Sequence, residues 1–165
     1  MKNVILIGMP GVGKSTAGVI LAKILGYEFV DSDLVIQREE KRLLKEIIAT
    51  EGVDGFLKVE NRVNAGLNAD KSVIATGGSV VYCKEAMEHL KSIGTVVYLK
   101  LSYDSLNQRL HDIKGRGVVL RDGQTLMDIY NERKNLYEKY ADIVIDEADL
   151  SIEDTVSAIV SKLEN

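Results

Sequence analysis

The sequence predicts an α/β fold, a parallel sheet covered by helices on both faces. Three observations carry this expectation. Short apolar runs rich in β-branched residues alternate with segments of helical periodicity, as in a parallel sheet. The first run leads directly into Gly8-Met9-Pro10-Gly11-Val12-Gly13-Lys14-Ser15-Thr16, which fits G-x-x-x-x-G-K-S/T, the phosphate-cradling P-loop. Two further groups, Asp31-Ser32-Asp33 and Thr76-Gly77-Gly78-Ser79, fall just past predicted strands. In open α/β sheets, ligands bind outside the carboxyl ends of strands.

The elements follow in order. Lys2–Ile7 is the first strand, apolar enough to be buried on both faces. After the P-loop, Ala17, Ile20, Leu21, Ile24 and Leu25 recur at helical spacing, and Gly26 is placed to cap that helix. The glycines let backbone N–H groups approach phosphate closely, and the helix N-terminus adds partial positive charge. Lys14 reaches the β- and γ-phosphates, the Ser15 hydroxyl suits Mg²⁺, and Thr16 falls at the α-phosphate. ATP with Mg²⁺ is the expected cofactor, held by Gly11, Val12, Gly13, Lys14, Ser15 and Thr16.

Glu28–Val30 is a short second strand running into Asp31 and Asp33. Asp31 could hold Mg²⁺ through water and Asp33 could accept a hydrogen bond from a substrate hydroxyl; one of the two could also N-cap the helix beginning near Leu34. A short helix over Leu43–Thr50 and a longer one after Gly52 come next. The longer helix has Val53, Phe56, Leu57, Glu60, Val63, Asn64 and Leu67 on one stripe. Glu60 on that face needs a partner, or points into the cleft beside Asp33. Ser72–Ala75 is the third strand, and the glycine turn after it leaves room for a ligand near backbone N–H groups.

A helix over Lys84–Lys91 precedes the strand Thr95–Leu101. Ser102 then caps a helix that carries Arg109. Lys114 to Gly123, with three glycines and three basic residues, reads as a lid closing on phosphates (about residues 112–123). The helix from about Gln124 to Tyr140 places Arg133 on its apolar stripe. A guanidinium there must find an anion: Glu60, Asp33, or a substrate carboxylate or phosphate. Asp142–Asp146 is the fifth strand. The last helix opens on a Ser151/Asp154 capping pattern and buries Ile152, Val156, Ile159, Val160 and Leu163. His89 and His111 lack metal-ligand spacing and read as surface residues.

Composition bounds the function. The chain has 165 residues, enough for one domain. Its 21 Lys and Arg against 25 Asp and Glu give −4, no electrostatic footprint for nucleic acid or an anionic membrane. No apolar run approaches the ~20 residues of a transmembrane helix. The run Val4–Ile7 is too short for a signal peptide. The single cysteine, Cys83, excludes an internal disulfide and suits a reducing cytoplasm. A cytoplasmic monomer acting on small molecules is expected.

Together, Gly8–Thr16, Asp31-Ser32-Asp33, Phe56 with Glu60, Thr76-Gly77-Gly78, Arg109, Arg116 and Arg133-x-x-Leu136-Tyr137-Glu138-x-x-Ala141-Asp142 resemble the shikimate kinase family along nearly the whole chain. The resemblance implies a P-loop kinase fold with sheet order 2-3-1-4-5. It also implies transfer of the ATP γ-phosphate to a ring hydroxyl of shikimate or a similar acceptor. It puts Asp33 on the acceptor hydroxyls, Gly77 and Gly78 at the acceptor, and Arg133 on the acceptor carboxylate. It puts Arg116 over the phosphates and Arg109 near adenine. Lys14, Asp33 and Arg116 are the expected catalytic set, and Glu60 joins the acceptor side.

Three positions depart from the family pattern. Phe-Arg-x-x-Glu reads Phe56-Leu57-Lys58-Val59-Glu60, so Leu57 stands where an arginine helps bind the acceptor carboxylate. The third glycine of the turn is Ser79, and the lid's Arg-Pro-Leu reads Arg116-Gly117-Val118. These changes also suit a kinase with another hydroxy-acid or polyol acceptor. A nucleotide-binding regulator with little turnover is the alternative from a different class. Acceptor-dependent ADP release separates them.

Overall fold

The computed structural model describes residues 2–112 and 123–165. At its centre is a parallel sheet of five strands: β1 (Asn3–Ile7), β2 (Glu28–Asp31), β3 (Ser72–Ala75), β4 (Gly94–Lys100) and β5 (Ile143–Asp146). Their order is β2-β3-β1-β4-β5, as the resemblance implies. The helices are α1 (Lys14–Leu25), α2 (Ser32–Glu40), α3 (Leu44–Ala65), α4 (Lys84–Ile93), α5 (Tyr103–Asp112), α6 (Leu126–Tyr140) and α7 (Ile152–Leu163). A 3-10 turn at Val80–Tyr82, which no sequence pattern predicts, follows the glycine turn.

β1 is the middle strand, with Leu6 beside Ala75 of β3 and Ile7 beside Tyr98 of β4. All five of its residues are buried, which explains an apolar run without alternation. β2 lies at the edge and is only partly covered. Most local signals hold. Gly26 takes φ 71° and its N–H bonds to Ala22 O, ending α1. Ser151 and Asp154 form a reciprocal capping box on α7. Gly52, at φ 73° and ψ 179°, breaks α3 into the two helical pieces expected.

Two expected stripes are shifted. On α3, Val59 is buried while Leu57 is half-buried. The helix serves two partners: Phe56, Val59 and Val63 join Ile36 and Ile47 in a small core of their own, while Leu57 packs against the main core. A helix clasped on two sides has no single apolar face. On α7, Thr155 is buried with Val156 and Ile159, while Ile152, Val160 and Leu163 are half-buried. Thr155 Oγ1 donates to the buried Glu147 at 3.5 Å, which draws a polar residue inward. His89 is half-buried rather than on the surface, with Nε2 2.6 Å from Leu67 O.

Asn3 is the polar residue that ties these layers together. Its Nδ2 donates to Ala69 O (2.9 Å) and Ile93 O (3.1 Å), and its Oδ1 accepts from Ser72 N (2.9 Å). It is 2% exposed. Asn3→Ala would strand two carbonyls and one amide, each costing about 1–3 kcal/mol when buried without a partner. Urea denaturation is expected to show a loss of about 3 kcal/mol, with the KM for nucleotide unchanged because the site lies at the other end of β1. A loss under about 1 kcal/mol would mean that water replaces these bonds.

Candidate active site

The P-loop leaves β1 through backbone that only glycine adopts comfortably: φ is 149° at Gly8, 93° at Gly11 and 89° at Gly13. A Cβ on Gly8 would meet Leu99 O at 2.7 Å, so the loop is pressed against β4. Gly13 is the N-cap of α1 and brings no capping side chain, which leaves the first-turn amides to a ligand. Lys14 folds back over the loop, its Nζ donating to Gly8 O (2.7 Å) and Met9 O (3.0 Å). The Val12 side chain belongs to the core, and its N–H closes the loop onto Met9 O at 3.3 Å.

Asp31 divides its carboxylate between two tasks. Oδ1 caps α2 by accepting from Asp33 N (2.9 Å) and Leu34 N (3.4 Å). Oδ2 accepts from Ser15 Oγ at 3.4 Å. The helix cap is therefore Asp31, α2 starts at Ser32 rather than near Leu34, and Asp33 is left facing the cleft. Burial, with the neighbouring Asp31 charge adding and Lys14 opposing, pushes the Asp33 carboxyl up to about 6.

The glycine turn after β3 forms the floor. A Cβ on Gly77 would lie 2.8 Å from Asp33 Oδ1 and 2.9 Å from Glu60 Oε2, so two carboxyls face each other across one residue without a side chain. A Cβ on Gly78 would lie 2.7 Å from Pro10 Cδ and 3.0 Å from Arg133 Nη1. Glu60 is 1% exposed. Its Oε1 accepts from Ser79 Oγ at 2.6 Å, and its Oε2 is buried with no hydrogen-bond partner among the described residues. Arg133 is also 1% exposed. It donates from Nε to Tyr82 Oη at 3.4 Å and lies over that ring, Cζ 5.3 Å from the centroid. Tyr137 Oη donates to Gly78 O at 2.6 Å. The turn is thus held from beneath by α3 and α6.

These elements enclose a cavity of about 500 Å³. Its lining brings together Gly11, Gly13, Lys14, Ser15, Thr16, Asp31, Asp33, Gly77 and Gly78, all expected at the site. Glu60 and Arg133 do not line it and sit behind Gly77 and Gly78. The lining is completed by Leu43, Leu44, Lys45, Ile48 and Phe56, from the N-cap, start and middle of α3. None of these five was expected at the site: the periodicity turns Leu44 and Ile48 inward on the short helix and puts Phe56 on the apolar stripe of the longer one. The one available signal was Lys45, a cation in the first turn of a helix, where the macrodipole disfavours it.

Arg109 belongs to a second groove of about 350 Å³, shared with Ser105, Gln108, Glu147 and Asp149. Its Nη1 donates to Gly11 O at 3.2 Å, fixing the outer side of the P-loop. Glu147 was not anticipated. It is 3% exposed, and burial pushes its carboxyl up to about 7, with Arg109 opposing. Arg116, Gly117 and the rest of the expected lid up to residue 122 lie outside the described residues.

A glycine loop at a helix N-terminus, its lysine, and a hydroxyl–carboxylate pair beside it define a P-loop phosphotransferase. Comparison with known proteins narrows the class. The shikimate kinase family profile matches residues 10–164. A shikimate kinase of Methylococcus capsulatus is 36% identical over 99% of this chain and 93% of its own length. One from Histophilus somni is 33% identical over 99% of this chain and 96% of its own. Among solved structures, shikimate kinase from Acinetobacter baumannii in complex with shikimate superposes with a TM-score of 0.88 at 31% identity, covering 99% of this chain and 93% of that one. The Aquifex aeolicus enzyme gives a TM-score of 0.81 at 30% identity, covering 98% and 96%. The chain belongs to the shikimate kinase family, a family of ATP-dependent kinases of aromatic amino-acid biosynthesis.

The buried carboxyl yields a stability prediction. Glu60 is pushed up from 4.5 to about 7, chiefly by burial, with Asp33 adding and Ser79 and Arg133 opposing. Between those values the unfolded chain sheds a proton that the folded chain keeps, so stability falls as pH rises through this window. Glu60→Gln cannot titrate. Thermal melts should show a shallower decline from about pH 5 to 8, the residual slope belonging to Asp33 and Glu147, and a variant about 1–3 kcal/mol more stable than the parent at the upper end. Parallel profiles would place the decline elsewhere.

Proposed function

We propose that this chain transfers the γ-phosphate of ATP to a ring hydroxyl of shikimate, acting as a single-domain, cytoplasmic monomer. The observation that carries this reading is the cavity that joins Lys14 and Ser15 to Asp33 and Gly77 within one chain. Phosphates lie in the amide nest of Gly11 to Thr16. Lys14 leaves the Gly8 and Met9 carbonyls for the phosphate oxygens and stabilises charge on the transferring group. Ser15 and Asp31 fit Mg²⁺, as a hydroxyl and a carboxylate oxygen already 3.4 Å apart. The ion would neutralise phosphate charge there.

Asp33 accepts the proton of the attacking hydroxyl. Its carboxyl at about 6 is ionised at neutral pH yet basic enough to take a proton. The Gly77–Gly78 backbone admits the ring closely, with Glu60 and Arg133 holding that turn from behind. Arg133 adds positive potential beneath the acceptor's end. Arg109 braces the P-loop on the adenine side, and the family resemblance assigns the phosphates to Arg116 as well, which lies outside the described residues. No helix among the described residues is long and apolar enough to cross a membrane.

A coupled ADP-release assay with shikimate tests this reading. Acceptor-dependent ADP is expected, and its absence despite ATP binding would favour the regulator. Lys14→Ala should lower kcat by at least ~10²–10³ while far-UV dichroism stays unchanged; turnover near that of the parent would remove the phosphate role. The rate kcat/KM should fall about tenfold per pH unit below about 6, where Asp33 takes up a proton. A flat profile down to about pH 5 would remove Asp33 as the base.

A further inference from the structure

We propose that Lys45 is a specificity-determining residue that binds the acceptor's carboxylate, in the role left open by Leu57. The inference rests on the shikimate reading above. Leu57 is half-buried against the main core and does not line the cavity. The family's usual arginine at that position therefore has no cationic equivalent on that part of α3. Lys58, its neighbour, is exposed and also does not line the cavity. Arg133 sits behind the Gly78 peptide at 1% exposure.

Among the described residues, only Lys14 and Lys45 bring cationic side chains to the lining. Lys14 is bonded to the P-loop carbonyls at the phosphate end. Lys45 is an exposed residue in the first turn of α3 that lines the same cavity, one turn before Ile48 on the same side of the helix. It makes no ion pair among the described residues. The lining acids have other neighbours, Asp31 with Ser15 and Asp33 beside Gly77. A cation in the first turn of a helix opposes the macrodipole, so its placement gains nothing for the helix itself.

The lining therefore has the polarity of a hydroxylated ring acid. Hydroxyls meet Asp33 and the Gly77–Gly78 backbone, the ring lies along Leu44, Ile48 and Phe56, and the carboxylate turns outward to Lys45. A lysine at the mouth holds a carboxylate as a point charge rather than through a bidentate fork. Such a contact is weaker than a buried arginine pair and more sensitive to salt.

The test compares shikimate with its methyl ester, using the full chain and steady-state kinetics. Lys45→Ala should raise the KM for shikimate about tenfold while leaving kcat and the KM for ATP within twofold. The ester should already bind poorly to the parent and lose nothing further in the variant. Lys45→Arg should restore the KM for shikimate. An unchanged KM in Lys45→Ala, or an equal rise with the ester, would overturn the proposal. If the unsubstituted protein neither binds nor phosphorylates shikimate, the acceptor reading fails first, before any variant is compared, and this proposal falls with it.

Discussion

Everything functional in this molecule depends on five strands running the same way. A parallel sheet collects the carboxyl ends of all its strands along one edge. β1 delivers the P-loop there, β2 delivers Asp31 and Asp33, and β3 delivers Gly77 and Gly78. The three loops are far apart in sequence and meet because their strands are adjacent. The order β2-β3-β1 sets the P-loop, the two aspartates and the glycine turn side by side without any contact between their side chains having to hold the fold. That task falls elsewhere, on the covered core and on Asn3 at the opposite end of β1.

The floor of the cavity is costly to build. Glu60 and Arg133 are both excluded from water, and each needs compensation that exposed ion pairs do not. The structure supplies Ser79 for one Glu60 oxygen and the Tyr82 hydroxyl and ring for Arg133. Ser79 departs from the family's third glycine, and Leu57 departs from its arginine. Both changes bear on Glu60: one adds a donor to its carboxyl, the other leaves it without a cation one turn away on its own helix. The two departures thus meet at one floor, beneath the cavity that Lys45 also lines.

Much of this was legible in the sequence because local chemistry dictated it. Gly8, Gly11 and Gly13 take positive φ, so the P-loop admits no other residues there. Gly26 and Gly52 end and break helices by their own conformations, and Ser151 begins one through its side-chain bond to Asp154 N. Asp31 and Asp33 were placed at the site, but their division of labour was not readable. Only the turn into α2 decides which carboxylate faces the amides. The wall of Leu43, Leu44, Lys45 and Ile48 escaped notice because it is made by how α3 leans on α2, a tertiary relation without a period. Glu147 escaped for the same reason, since its burial comes from α7 packing over the end of β5. Leu57 and Val59 exchanged their expected burial because α3 packs on two sides.

The central claim is that one edge of the sheet holds ATP and shikimate together for direct transfer. It is tested most directly by a crystal structure of the protein with a non-hydrolysable ATP analogue, Mg²⁺ and shikimate. The account predicts the phosphates in the Gly11–Thr16 nest and a shikimate hydroxyl hydrogen-bonded to Asp33 and in line with the γ-phosphate. It predicts the ring over Gly77 and the carboxylate directed toward Lys45. Shikimate bound away from Asp33 and Gly77, or its hydroxyl out of line with the γ-phosphate, would contradict it.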